Sequence, residues 1–181
     1  MIVRKYRRIE GSPGRLPGIT PRPARVEEAG QIAVLLRDCA PQCLPVERNV
    51  IERRIGEYRV LRAFGRVIGA AALHPLDDGG ERCELRSVAV DPEWKGRGLG
   101  SRLVDWATEC ATREGFELLC VTCRPRFFAH AGFSRTERAR VPEKAARAHW
   151  PVDEERVAMA WDGPRGDEED GRDEGRIKKS A

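Results

Sequence analysis

The sequence predicts an α+β (mixed α/β) domain, and three observations carry that prediction. Two apolar runs, Tyr58 to Phe64 and Val67 to Leu73, are separated only by Gly65-Arg66, a spacing that favours an antiparallel hairpin. A third run, Cys83 to Val90, ends at Asp91-Pro92 and leads through a glycine cluster into an amphipathic segment, Ser101 to Arg113. After Gly115, which suits a helix stop, comes the short apolar run Leu118 to Thr122, so strand, helix and strand form one crossover. Hairpins and a crossover in one chain give a mixed sheet flanked by helices.

The remaining elements follow in order. Ile19 to Ala24 contains Pro21 and Pro23, which remove ladder donors, so a strand there belongs at a sheet edge. Val26 to Cys39 sets Ala29, Ile32, Ala33 and Leu36 at helical spacing, and Val46 to Ile55 resumes the pattern beyond Pro41 and Pro45. Arg126 to Ala131 reads as one or two helical turns, and Phe133 to Arg138 and Val157 to Trp161 as closing strands.

A length of 181 residues suits one domain with polar extensions. Hydrophobic residues at 40% and charged residues at 34% describe a soluble globular chain and exclude collagen-like and wholly disordered classes. The net charge of +4 is too mild to argue for a nucleic-acid partner. No stretch approaches the ~18 consecutive apolar residues of a membrane helix. The first ten residues carry Arg4, Lys5, Arg7 and Arg8 with no apolar run behind them. A cytoplasmic protein with six reduced cysteines is therefore expected. Residues 1–18 read as a flexible basic arm, 19–161 as the folded domain and 162–181 as a disordered charged tail. No internal repeat is visible.

One segment carries sharp chemistry. Leu85 to Gly100 runs from an apolar strand into a turn with glycine at 96, 98 and 100, immediately before a helix. Consecutive amide N–H groups at a helix start, backed by the positive end of the helix dipole, can hold a pyrophosphate, and glycine lets its oxygens come close. Lys95, Arg97 and Arg102 add positive charge. A dinucleotide fingerprint would need its third glycine one residue later, and a P-loop would need Gly-Lys-Ser/Thr, so neither applies.

Val88-Ala89-Val90-x-Pro followed by Lys95-x-x-Gly98-x-Gly100 and a helix resembles the acetyl-CoA motif of the Gcn5-related N-acetyltransferases (GNAT), with Lys95 where Gln or Arg is usual. Phe127-Phe128 followed by Gly132-Phe133 resembles the later motif of that family. Ala71-Ala72-Leu73-His74-Pro75, Glu84-Leu85-Arg86-Ser87-Val88 and Val141-Pro142-Glu143-Lys144 look like short, single-domain relatives of N-acetylglutamate synthase. The resemblance implies a mostly antiparallel, splayed sheet. It also implies acetyl-CoA as co-substrate, with the pantetheine arm on the backbone of Val88, Ala89 and Val90. The pyrophosphate would meet Lys95, Gly96, Arg97, Gly98, Leu99, Gly100 and Ser101, with Phe127 and Phe128 alongside.

Acetyl transfer needs a neutral amine, a place for the oxyanion and a proton for the leaving thiolate. Even spacing on an extended strand puts Glu84, Arg86, Val88 and Val90 on one face. Glu84 matches the position of a carboxylate base in several family members, and a plain ion pair with Arg82 or Arg86 is the competing reading. Where many members carry a general-acid Tyr this chain has Phe128, which leaves water, Cys123 or unassisted departure of the thiolate. If the acceptor is an amino acid such as glutamate, Arg86, Arg124, Arg126 and Lys144 are the candidate carboxylate partners.

Cys39 and Cys43, and Cys120 and Cys123, have spacings that invite zinc, but Cys39 ends an apolar helix and Cys120 lies inside an apolar strand, so core thiols and no metal are expected. His74, His130 and His149 show no ligand spacing, and Trp94 and Trp150 read as packing or lid residues. The leading function is acetyl transfer to a small-molecule amine, most simply L-glutamate at the first step of arginine synthesis, by direct transfer in a ternary complex. A protein lysine or N-terminus, another small amine, and a non-catalytic acyl-CoA-binding module remain alternatives. No membrane or nucleic-acid partner is expected, and a homodimer is left open.

Overall fold

A computed structural model of the chain describes residues 18–40, 42–76, 79–137, 140 and 156–163. The expected arm and tail lie almost wholly outside the described residues, as do Lys144, His149 and Trp150. The strands are Arg22–Pro23 (β1), Tyr58–Ala63 (β2), Arg66–Pro75 (β3), Arg82–Val90 (β4), Glu117–Thr122 (β5), Phe133–Arg135 (β6) and Val157–Trp161 (β7). The helices are Ala29–Asp38 (α1), Arg48–Arg53 (α2), Leu99–Glu114 (α3) and Pro125–His130 (α4). Element order is as expected; lengths differ. The second helix keeps only Arg48–Arg53 before a tight 3-10 turn at Ile55–Glu57, and the helix expected from Ser101 begins earlier, at Leu99. The hairpin turns at Phe64-Gly65, one residue before the expected pair, with φ of 49° and 74° there. Both angles are positive, as the two-residue turn matched to strand twist demands.

The strands form one sheet in the order β1-β2-β3-β4-β5-β7-β6. Only β4 and β5 run parallel, joined by the α3 crossover; the other neighbours are antiparallel. The proline-bearing β1 occupies an edge, where its missing donor costs nothing. On one face Ile32, Leu35 and Leu36 of α1 and Ile51 of α2 pack on Val60, Val67 and Ala70. On the other, Leu99, Leu103, Ala107 and Ala111 of α3 and Phe128 of α4 pack on Leu61, Ile68, Leu85 and Leu118. α3 stops at Gly115, whose φ of 76° lets its N–H reach Ala111 O at 2.8 Å.

Buried Glu28, at the start of α1, staples the edge: it accepts from the Arg25 N–H at 2.9 Å, pairs with Arg22, and lies 3.4 Å from Arg62. Burial alone would raise its pKa, but the hydrogen bonds from Arg22 and Arg25 and the Arg22 and Arg62 charges hold it below the ordinary carboxylate value.

One irregularity shapes the site. Ala70 of β3 faces Ala89 and Ala72 faces Arg86, so β4 carries one more residue than its partner there, and Ser87 takes a φ of 57°. Leu85 belongs to the α3 side and Ala89 to the α1 side, although they are four residues apart. The bulge therefore corrects the single-face expectation. Arg86, opposite Ala72, stands on the α1 side together with Glu84, whereas Val88 and Val90 pack on the α3 side.

Candidate active site

The glycine cluster becomes a turn ending in α3. Gly96 and Gly98 have φ of 77° and 73°, a region that strains any side chain, and Gly98 caps the helix. Arg102 N–H closes the first helical bond on Gly98 O at 3.1 Å. Among the described residues, none of the main-chain N–H groups from Gly96 to Ser101 donates a hydrogen bond to the protein. Several donors thus converge on the positive end of a sixteen-residue helix. Gly100 has a further reason: a Cβ there would lie 3.3 Å from the Phe127 ring. Phe127, Phe128 and Phe133 pack edge to face, with centroids 5.1 and 5.4 Å apart, and hold α4 against this corner.

β4 and β5 pair from Arg82↔Glu117 to Leu85↔Cys120 and no further, so Arg86 to Val90 part company with Val121 and Thr122. Asp91 N–H returns to Ile68 O, which turns the neighbouring Val90 main chain away from β3 and into that gap. Cys43 and Cys39 donate thiol hydrogens to the carbonyls of Val88 and Val90, at 3.1 and 3.4 Å. A cavity of about 470 Å³ follows the gap, ample for a slender arm and within the range of small-molecule pockets. It runs from Lys95, Gly98 and Ser101 past Val88 and Phe127 to Glu84.

At its far end Glu84 is 5% exposed and, among the described residues, makes no hydrogen bond or ion pair. Burial lifts its carboxyl above the ordinary value, and the nearby charges of Arg86 and His74 only oppose the rise. The competing reading of Glu84 as Arg86's ion-pair partner fails, because Arg86 Nη2 goes instead to Glu57 Oε2 at 3.3 Å. Arg86 and Arg124 line the cavity. Arg126 does not: it lies on the exposed side of α4, which corrects its expected substrate role. Arg97 contributes main chain to the turn, while its guanidinium sits 5.1 Å over the Trp94 ring and off the cavity wall. Lys95 Nζ reaches Gln42 Oε1 at 3.3 Å, which ties the turn to the α1–α2 connection.

Sequence reasoning missed Arg54, Tyr58 and Arg156, which line the same cavity. Tyr58 is buried and bonded to Ser87, and burial raises its pKa, so the phenol stays protonated. The thiols behave as core groups: burial pushes Cys43 up to about 12 and Cys120 well above the usual thiol value. Among the described residues no three His, Cys, Asp or Glu side chains gather as a metal site, and no helix is long and apolar enough to cross a membrane.

Comparison with known proteins agrees with this geometry. The model of the acetyltransferase (GNAT) family matches residues 31–133. The amino-acid acetyltransferases of Pseudomonas paraeruginosa and Azotobacter vinelandii are 34% and 33% identical over 131 residues, 70% of this chain and 30% of theirs. The chain thus spans under a third of the length of those relatives. N-acetylglutamate synthase from Neisseria gonorrhoeae, solved with coenzyme A and N-acetyl-glutamate, superposes with a TM-score of 0.67 at 22% identity over 79% of this chain and 34% of that one. Mycobacterium tuberculosis Rv2747, solved with CoA and NLQ, gives 0.64 at 24% identity over 78% of this chain and 98% of that one. These structures share the fold, and with the family model spanning more than half of the sequence, the chain belongs to the acetyltransferase (GNAT) family.

Proposed function

We propose that this domain transfers the acetyl group of acetyl-CoA to the α-amino group of an amino acid, with L-glutamate the foremost acceptor, in a ternary complex. The observation that carries the reading is one continuous cavity. It joins unengaged amides at the α3 start to a buried, unpaired carboxylate on β4. The Gly96–Ser101 amides and Lys95 would bind the pyrophosphate, and the edge of Val88 and Val90 would take the pantetheine arm, which brings the thioester to the gap. Glu84, whose pKa burial raises, is a better proton acceptor than an ordinary carboxylate and would take the ammonium proton, directly or through water. The freed nitrogen attacks the thioester carbonyl, the N–C bond forms, the C–S bond breaks, the nitrogen sheds its second proton, and the thiolate takes one up, so that a group relaying between them ends unchanged. Phe128 has none to give; Tyr58, a protonated phenol on the same cavity wall, is our candidate donor. Arg54, Arg86, Arg124 and Arg156 make the acceptor end cationic, which suits a carboxylate-bearing amine. The names of the related amino-acid acetyltransferases and of N-acetylglutamate synthase support the same acceptor class, and with it a place at the start of arginine synthesis.

The test is thiol release from acetyl-CoA across the amino acids, read beside thermal shifts with acetyl-CoA. Fastest release with L-glutamate is expected. A stabilising shift with no release for any amine would leave only a coenzyme-binding module, and release with lysine peptides alone would move the acceptor to protein.

A further inference from the structure

The acceptor end is backed by a polar chain whose inner members, His74 and Glu57, the mechanism above does not use. Arg54, just after α2, places Nη1 at 3.1 and 3.2 Å from the two ring nitrogens of His74 on β3. His74 Nδ1 lies 3.1 Å from Glu57 Oε2, and the same oxygen lies 3.3 Å from Arg86 Nη2 on β4. A carboxylate can only accept, so the contact with Glu57 puts a hydrogen on Nδ1 of His74, and Arg54 Nη1, equally near both nitrogens, lies against the imidazole ring. The outer members, Arg54 and Arg86, line the cavity, while His74 and Glu57 stand behind them and do not. These side chains come from the end of α2, the turn before β2, β3 and β4, so no single element fixes the spacing of the two cations.

We infer that His74 and Glu57 are positioning residues. They hold the guanidinium groups of Arg54 and Arg86 at a fixed separation on the wall of the acceptor end, and so select an amine bearing two anionic groups over one bearing a single anionic group. The selection rests on the acceptor reading above; the hydrogen-bond relay does not. The imidazole ring is the means: losing its Nδ1 hydrogen loosens Glu57 and with it Arg86, and losing the ring frees Arg54. The titratable and charged groups facing His74 are Arg54, Glu57, Glu84 and Arg86, with Tyr58 beside Ser87.

Two measurements test the relay. In the unmodified, ligand-free protein at neutral pH, nitrogen NMR of the His74 ring should report the Nδ1–H tautomer; an Nε2–H tautomer or an imidazolium overturns the inference without any reference to substrate. In steady-state kinetics, H74A should raise KM for L-glutamate by ~10-fold or more, as loss of charge-assisted positioning does. KM for acetyl-CoA should stay within ~2-fold of wild type. H74N, which keeps a donor toward Glu57, should recover part of that loss, and wild type should prefer glutamate to glutamine more strongly than H74A does. Equal increases in both Michaelis constants, or a fall in kcat alone, would make His74 merely structural. Should wild type release no thiol with L-glutamate, the acceptor reading falls, and the tautomer still decides the relay.

Discussion

The domain buries two carboxylates and treats them in opposite ways. Glu28 is 2% exposed and Glu84 is 5% exposed, so both have left water. Around Glu28 the chain assembles the Arg25 N–H and the guanidinium groups of Arg22 and Arg62; around Glu84, among the described residues, it assembles no hydrogen bond or ion pair at all. The first carboxyl is held below its ordinary pKa and the second lifted above it. Equal burial therefore does not mean equal duty. A satisfied carboxylate fastens an edge strand to a helix start, and an unsatisfied one retains its appetite for a proton.

The largest effect expected is that of Glu84→Gln. If Glu84 is the base, kcat falls ~100- to 1,000-fold, and the limb of the pH profile that rises as Glu84 ionises disappears. Stability moves the other way. Glu84's folded pKa is raised, so its ionisation opposes folding at pH above that value, and the neutral isostere should melt higher than wild type at neutral and alkaline pH, by calorimetry. A Gln variant that keeps wild-type kcat would reduce Glu84 to a structural curiosity.

Glu28→Gln should do the reverse: lose about 1–2 kcal/mol in denaturant unfolding at neutral pH, because the Arg25 N–H and two partly exposed guanidinium groups lose a charged acceptor. Per folded molecule, thiol release should be unchanged. The pH dependence sharpens the contrast. Glu28's folded pKa is lowered, so its contribution is present above the unfolded value and fades as pH falls through the folded one. The gap between wild type and Glu28→Gln should therefore close in acid, and the gap for Glu84→Gln should open toward alkali.

Replacing the proposed proton donor, Tyr58→Phe, should lower kcat by ~10-fold with little change in either KM. The smallest effect is expected of Arg62→Gln. Arg62's side chain is 35% exposed and lies 3.4 Å from Glu28, so solvent screening leaves it ~0.5 kcal/mol at most. Unfolding in matched denaturant series would detect a larger loss.

What the sequence makes legible here is whatever chemistry demands of consecutive residues. Three glycines after an apolar strand announce a tight turn into a helix because φ at 96 and 98, and the Phe127 contact at 100, favour glycine at each position. The two apolar runs between Tyr58 and Leu73, parted by a short turn, announce a hairpin for the same local reason. The bulge was not legible, because its positive φ falls on Ser87 rather than on the glycine that would have flagged it. Arg54, Tyr58 and Arg156 were missed because they reach the cavity from sequence positions far from the motif. Arg126 was assigned wrongly because spacing from Phe127 says nothing about which side of a single-turn helix meets the cavity.

The extra residue at Ser87 has a consequence for how two reactants meet. A regular strand would show its carboxylate and its valines to the same observer; this one rotates its display by half a turn midway, so that Glu84 looks toward α1 and Val88 toward α3. Drawing that residue into regular pairing, rather than leaving it bulged, would exchange the two views from there to the end of the strand. The proposed proton acceptor and the proposed thioester wall would then share one side.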